Sequence, residues 1–270
     1  MLNYGNIFLS ILYLLISVNY IILFNFSKKG LKITARVMVL LSMDLHLIFL
    51  FYIAVTEGRL ALTTVFEVLS MIALFITIML VILELKTGER SPGAFLFPLA
   101  FCLQVISLLG SRIPILDDSI IRMPLLSFHT LTTVFGYACF IYSFIMAVMY
   151  LYLLKRFKEK KYDKIFFGMP PLDLLEKLNI IVLFAGFVLM SIGLITGGWL
   201  AVIIWENIPL LDPKIFLTIC LWFIYLVSLL ARSLFKLQGK TMSYASILGF
   251  FLIIIIILLE SLTQATLHRF

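Results

Sequence analysis

The stretch L-L-S-F-H-T-L-T-T-V-F-G-Y-A-C-F-I-Y-S-F-I-M-A-V-M-Y-L-Y-L-L-K-R (125–156) decides the fold. From Leu125 to Leu154 it contains no Asp, Glu, Lys or Arg, and it then ends on the basic pair Lys155-Arg156. An α-helix rises ~1.5 Å per residue, so ~20 apolar residues cross the ~30 Å hydrocarbon core of a bilayer. A helix that is apolar all round and this long belongs in lipid rather than in a soluble domain. Its single histidine, His129, stands about one turn in from the end opposite the basic pair.

Outward from this helix the same pattern recurs. Apolar segments near 6–26, 33–55, 63–85, 94–111, 125–154, 178–198, 215–235 and 241–262 predict eight transmembrane helices. The chain is 63% hydrophobic with a mean hydropathy of +1.16, against roughly 45–50% apolar in a soluble domain. The runs are continuous, whereas a membrane β-barrel would alternate apolar and polar residues over ~10-residue strands. The expected fold is all-α: a polytopic bundle of eight helices forming a single transmembrane domain over 1–270, in the plasma or inner membrane. The opening M-L-N-Y-G-N has no basic residue and no small-residue cleavage site follows it, so the first segment is expected to stay as a helix.

The net charge of +7 is compatible with nucleic acid, but its distribution indicates a membrane. Sixteen of the 21 basic residues fall in the connections after helices one, three, five and seven. The other connections and the C-terminus hold only Arg59, Arg112, Arg122, Lys214 and Arg269. Short basic loops stay cytoplasmic, which puts both termini and the even-numbered connections outside. The longest cytoplasmic stretch, Lys155–Lys177, is basic at its start, where it can lie on anionic headgroups.

Cys102, Cys139 and Cys220 form no C-x-x-C pair, no zinc spacing and no C-x-x-C-H haem attachment sequence. No H-E-x-x-H, Walker loop or G-x-G-x-x-G supports a protease, ATPase or dehydrogenase. No catalytic residue is assigned. The chemistry rests on three histidines: His129, His268 after the last helix, and His46 inside helix two, about 20 Å from its inner edge. Asp44 lies ~200° around the same helix from His46 and is not expected to pair with it. Neutral imidazole is a standard iron ligand. Two histidines at helix ends on one side, with the loop Trp199–Lys214 between them in sequence, make a candidate site for a flat, metal-bearing ligand. In that loop Trp199 and Trp205 are candidate cover for such a ligand, and Arg112, Arg122 or Arg269 are candidate partners for its carboxylates. Asp212-Pro213 reads equally well as a helix N-cap followed by proline at the first helical position.

E-G-R-L-A-L-T-T-V-F-E-V-L-S (57–70), S-F-H-T-L-T-T-V-F-G-Y-A (127–138), G-L-I-T-G-G-W (193–199), D-P-K (212–214) and L-H-R-F (267–270) together resemble the cytochrome c assembly family. These are haem-handling membrane proteins of the CcsA, CcmC and HemX type, and in length and helix count the chain looks most like the HemX branch. The resemblance runs from about His46 to the C-terminus. It implies non-covalent haem b at the outer face, with His129 and His268 as axial iron ligands and His46 as an intramembrane ligand or relay. Trp199, Trp205 and Asp212 fall in the stretch similar to the family's tryptophan-rich haem loop. The implied partners are haem, a separate membrane subunit of cytochrome c assembly and apocytochrome c; any haem lyase activity would belong to the complex. The chain departs from the family pattern at Pro209 and Leu211, where tryptophan is usual, and at Leu230, in place of a second membrane histidine.

Two other readings stand beside this one. A HemX-like membrane regulator of haem synthesis would act through the cytoplasmic loop Lys155–Lys177. A small-solute or proton-coupled transporter would use Asp44, Glu67 and Glu260, with Gly186, Gly193, Gly197 and Gly198 loosening helix six.

Overall fold

A computed structural model of the chain describes residues 2–26, 29–109, 118–205, 212–237 and 239–266. All regular structure in these residues is helical: α1 (Leu2–Asn25), α2 (Lys29–Glu57), α3 (Val65–Thr87), α4 (Gly93–Ile106), α5 (Asp118–Ile121), α6 (Pro124–Lys158), α7 (Lys164–Gly168), α8 (Leu172–Trp205), α9 (Pro213–Phe235) and α10 (Gly239–Thr266). Among the described residues, seven helices are long and apolar enough to cross a membrane: α1, α2, α3, α6, α8, α9 and α10. The protein is a multi-pass membrane protein.

The segment expected as an eighth span, 94–111, is the 14-residue α4. At ~1.5 Å per residue it covers ~21 Å, short of a full crossing. Among the described residues there are thus seven helices of spanning length plus one short apolar helix, and an eighth crossing stays an expectation. A shared side for the two termini requires α4 to count as a crossing, and it stays an expectation.

The helices gather into two compact units, one of Met1–Arg112 with Lys155–Pro171, the other of Ile113–Leu154 with Leu172–Phe270. In the first unit α1 packs on α2 and α4, and α3 packs on α2 and α4. Its centre holds Tyr13, Ile16, Tyr20, Ile72, Leu80, Phe97 and Ala100, all buried. Tyr20 lies against Phe97 with ring centroids 4.7 Å apart. The α2–α3 junction is pinned locally. Thr64 caps α3, accepting from the Glu67 backbone N–H, while Glu67 reaches back to the Thr64 N–H. This reciprocal box satisfies two of the donors a helix start leaves open.

In the second unit α8 packs on α9 and α10, and α9 packs on α10. Gly136 and Gly186 let α6 and α8 approach closely. A Cβ on Gly136 would lie 3.4 Å from the Gly186 carbonyl oxygen, and one on Gly186 would lie 2.6 Å from the Phe140 ring. Phe140 in turn stacks on Tyr225 of α9 at 4.2 Å, and Phe144 stacks on Phe250 of α10 at 3.9 Å. Asn179 accepts hydrogen bonds from Ser143 and Ser246, tying α6, α8 and α10 together inside the unit. Small residues at helix contacts and hydroxyl–amide bonds across them are the usual means of holding helices in lipid, where apolar burial gives little drive.

Candidate functional site

His129 sits in the second turn of α6 and is half-buried. Its Nδ1 lies 2.8 Å from the carbonyl oxygen of Gly193 on α8. A carbonyl only accepts, so the proton is on Nδ1 and the lone pair is on Nε2. No hydrogen bond engages Nε2 among the described residues. This is the arrangement of a metal-binding imidazole: one nitrogen anchored to a backbone carbonyl, the other holding a directed lone pair.

Glycine makes the approach possible. A Cβ on Gly197 would stand 2.6 Å from His129 Cε1 and 2.9 Å from its Nδ1, and one on Gly193 would stand 2.5 Å from the Thr133 hydroxyl. The four-residue spacing of Gly193 and Gly197 puts both on one face of α8, and the imidazole rests on that face. Thr196 Oγ1 lies 3.5 Å from Nδ1, beside the ring. A loosening of the helix at these glycines is the expectation of the transporter reading. The structure instead shows α8 continuous from Leu172 to Trp205, with the glycines in close contact.

Trp199 is 64% exposed on α8. It follows Gly197 by two residues, ~200° around the helix, so it is not on the face that meets His129. Trp205 is the last residue of α8, and its side chain lies outside the described residues. Asp212 is the N-cap of α9, accepting from the backbone N–H groups of Lys214 (2.9 Å) and Ile215 (3.3 Å), with Pro213 at the helix start. The geometry gives Asp212 a capping part. His268, Pro209 and Leu211 lie outside the described residues, as does the side chain of Glu260.

His46 belongs to the other unit and is completely buried. Tyr13 Oη lies 3.1 Å from its Nδ1 and Ser70 Oγ lies 3.1 Å from its Nε2. Ser70 gives its one proton to Gln104 Oε1 at 2.9 Å. His46 must therefore donate from Nε2–H to Ser70 and accept at Nδ1 from the Tyr13 hydroxyl. The chain continues in one sense: Gln104 Nε2 donates to Asn6 Oδ1 (3.3 Å), and Asn6 Nδ2 donates to Ser107 Oγ (3.4 Å). His46 thus carries the opposite tautomer to His129, and its only lone pair is occupied. Iron could reach it only by displacing Tyr13.

Tyr13, Ser70, Gln104, Asn6 and Ser107 were not singled out from the sequence. A signal was present: Asn6, Tyr13 and Tyr20 recur every seven residues on α1, and Ser70, Thr77 and Glu84 do so on α3. The third pair closes the pattern, with the Tyr20 hydroxyl donating to Glu84 at 2.5 Å.

Glu67, a transporter candidate, is committed elsewhere. Its carboxylate takes a two-pronged contact from Arg59, Nη1 to Oε2 at 3.0 Å and Nη2 to Oε1 at 2.9 Å, and also accepts from the Thr63 and Thr64 backbone N–H groups. Glu57 pairs with Arg59 as well. Burial disfavours the guanidinium charge, but the Glu67 and Glu57 carboxylates more than offset this and hold Arg59 above its ordinary value. The E-G-R…E stretch is thus a buried ionic latch. Asp44 and His46 do not meet; Asp44 is exposed on α2. Among the described residues, no group of three or more His, Cys, Asp or Glu side chains is placed to hold a bare metal ion.

Residues 4–268 match the family model described as "Cytochrome C assembly protein". The cytochrome c biogenesis protein CcsA of Guillardia theta is 24% identical over 220 residues, covering 73% of this chain and 71% of that protein. No solved structure matches.

Proposed function

The chain belongs to the cytochrome c assembly protein family, and from that premise we propose that it holds haem b non-covalently at its outer face for delivery to a partner. His129, through Nε2, and His268 would hold the iron, and the Trp199–Lys214 segment would cover it. The observation that carries this reading is the bond from His129 Nδ1 to the Gly193 carbonyl. It sets the tautomer, orients the ring against α8, and leaves the lone pair on the other nitrogen for iron.

The residues present fit the group. An imidazole that is to hold iron needs a fixed plane and an unprotonated nitrogen, and the glycine face of α8 with the Gly193 carbonyl would supply both for His129. Haem, when bound, supplies the iron centre whose potential its axial ligands set. The chain's own residues orient it and release it. His46 is not needed as a ligand here and acts within the polar chain of the first unit. A separate membrane subunit of cytochrome c assembly and apocytochrome c are the partners this reading requires.

The direct test is the absorption spectrum of the purified full-length chain, with and without added haem. A low-spin bis-imidazole spectrum is expected. Protein that stays colourless after haem is supplied would reject the proposal.

A further inference from the structure

Asp44 stands at the middle of α2, about 21 Å from Gly30 and about 20 Å from Glu57 along the helix axis. It is exposed, and no hydrogen bond or ion pair engages it among the described residues. An ionisable side chain at mid-bilayer depth facing outward is costly, and such groups almost always face a partner or a polar cavity. Its surroundings on the helix are apolar and equally exposed: Val37 50%, Leu41 53%, Ile48 63%, Phe51 70% and Val55 66%.

The spacing of this set is informative. Val37, Leu41, Asp44, Ile48, Phe51 and Val55 are separated by four, three, four, three and four residues. That is the 3.5-residue repeat of a seam that packs side chain into hole against another helix, and a single polar residue in such a seam fixes its register. Leu40, Leu45, Leu47 and Tyr52 are exposed beside this row, so it runs along a broader apolar face of α2 that carries a single carboxyl at its centre. At Ile48 the row borders an apolar groove of about 340 Å³ between α1 and α2, lined also by Gly5, Phe8, Leu45 and Tyr52.

We propose that this seam docks a transmembrane helix of a separate membrane protein that carries a lysine or arginine at mid-bilayer depth. Charge complementarity selects the partner. A second copy of this chain does not provide it, because every Lys and Arg associated with its seven spans lies near a helix end: Arg36, Lys86, Lys155, Lys177, Lys214, Arg232 and Lys240 are the innermost. The surface lies on the first unit and does not depend on haem binding by His129 on the second.

The test uses the full-length chain in its native membranes, with the photoreactive residue p-benzoylphenylalanine replacing Leu41 or Ile48 in turn and Ile82 of α3 as a control position. The expected result is an adduct from the two seam positions whose cross-linked partner peptide is membrane-embedded and carries a Lys or Arg within about one helical turn of the contact. Adduct yield should fall roughly tenfold in Asp44→Leu, as loss of an intramembrane polar pair implies, and should return when Asp44→Lys is combined with the reverse exchange in the partner. Asp44→Asn, which keeps the shape, replaces Asp44→Leu if the latter does not accumulate. Adducts to lipid alone, to a second copy or to the same chain, a partner peptide without a cation, yields indifferent to Asp44, or no adduct at all would overturn the proposal. Haem content, measured on the same preparations, reports on His129 separately and should not change with Asp44.

Discussion

Nδ1 of His129 donates to the carbonyl oxygen of Gly193 across 2.8 Å, so the backbone of α8 decides which nitrogen of that ring is left with a lone pair. His46 shows the reverse: its Nε2 donates to Ser70 and its Nδ1 accepts from Tyr13. Two histidines of one chain thus carry opposite tautomers, one with Nε2 unengaged among the described residues and one with both nitrogens held by its neighbours.

His129→Ala should abolish or strongly shift the haem absorption of the purified protein. Imidazole added to that variant should restore it in part, because a free imidazole occupies the vacated position. Titrating imidazole while recording spectra separates loss of a ligand from loss of the fold.

Gly197→Val puts carbon where the His129 ring lies, within 2.6 Å of Cε1. Overpacking of this kind costs ~1–3 kcal/mol, or about a tenfold fall in haem affinity if the ring is displaced from its bound orientation. Gly30→Ala, where nothing stands within 4 Å, should leave haem content unchanged. The ratio of haem to protein after titration checks both.

His46→Ala removes the centre of a buried polar chain and strands Tyr13 and Ser70. Unsatisfied buried groups cost ~1–3 kcal/mol each, so the variant should melt lower. Haem bound through His129 should keep its spectrum. Thermal unfolding in detergent alongside haem spectra tests this division.

Arg59→Leu leaves the Glu67 carboxylate buried without its guanidinium, and breaking a buried pair costs ~3–5 kcal/mol. The Arg59→Leu, Glu67→Leu double variant should recover part of the loss. Because Arg59 is held above its ordinary value, its contribution is present below the unfolded value and is lost only as pH rises through the folded one, in strongly alkaline solution. The melting difference between wild type and Arg59→Leu should therefore not shrink through Arg59 deprotonation between about pH 7 and about pH 9.

Asp212→Ala should cost ~1 kcal/mol through loss of the α9 cap, and Asp212→Ser or Asp212→Asn only a few tenths. If Asp212 acts only as a cap, haem affinity should track cap competence, falling in the alanine variant and holding in the other two. Melting and haem titration of the three variants provide the check.

The membrane class and the positions of seven spans were determined by the sequence alone, while at Asp212-Pro213 the sequence offered a cap as one of two readings and the structure shows it. Each is a local property: the length of an apolar run, or a side chain within three residues of the N–H it satisfies. The eighth expected span stays an expectation: composition does not show where a helix stops, and α4 is 14 residues long. The functions of single polar residues were decided only in three dimensions. His129 gains its tautomer from a carbonyl 64 residues away, and every residue has a carbonyl, so no side chain advertises that partner. His46, alike in type and also in an apolar helix, is closed by Tyr13 and Ser70, which lie on two other helices. A proton's position on an imidazole is set by whatever touches each nitrogen, and helix packing alone chooses those neighbours.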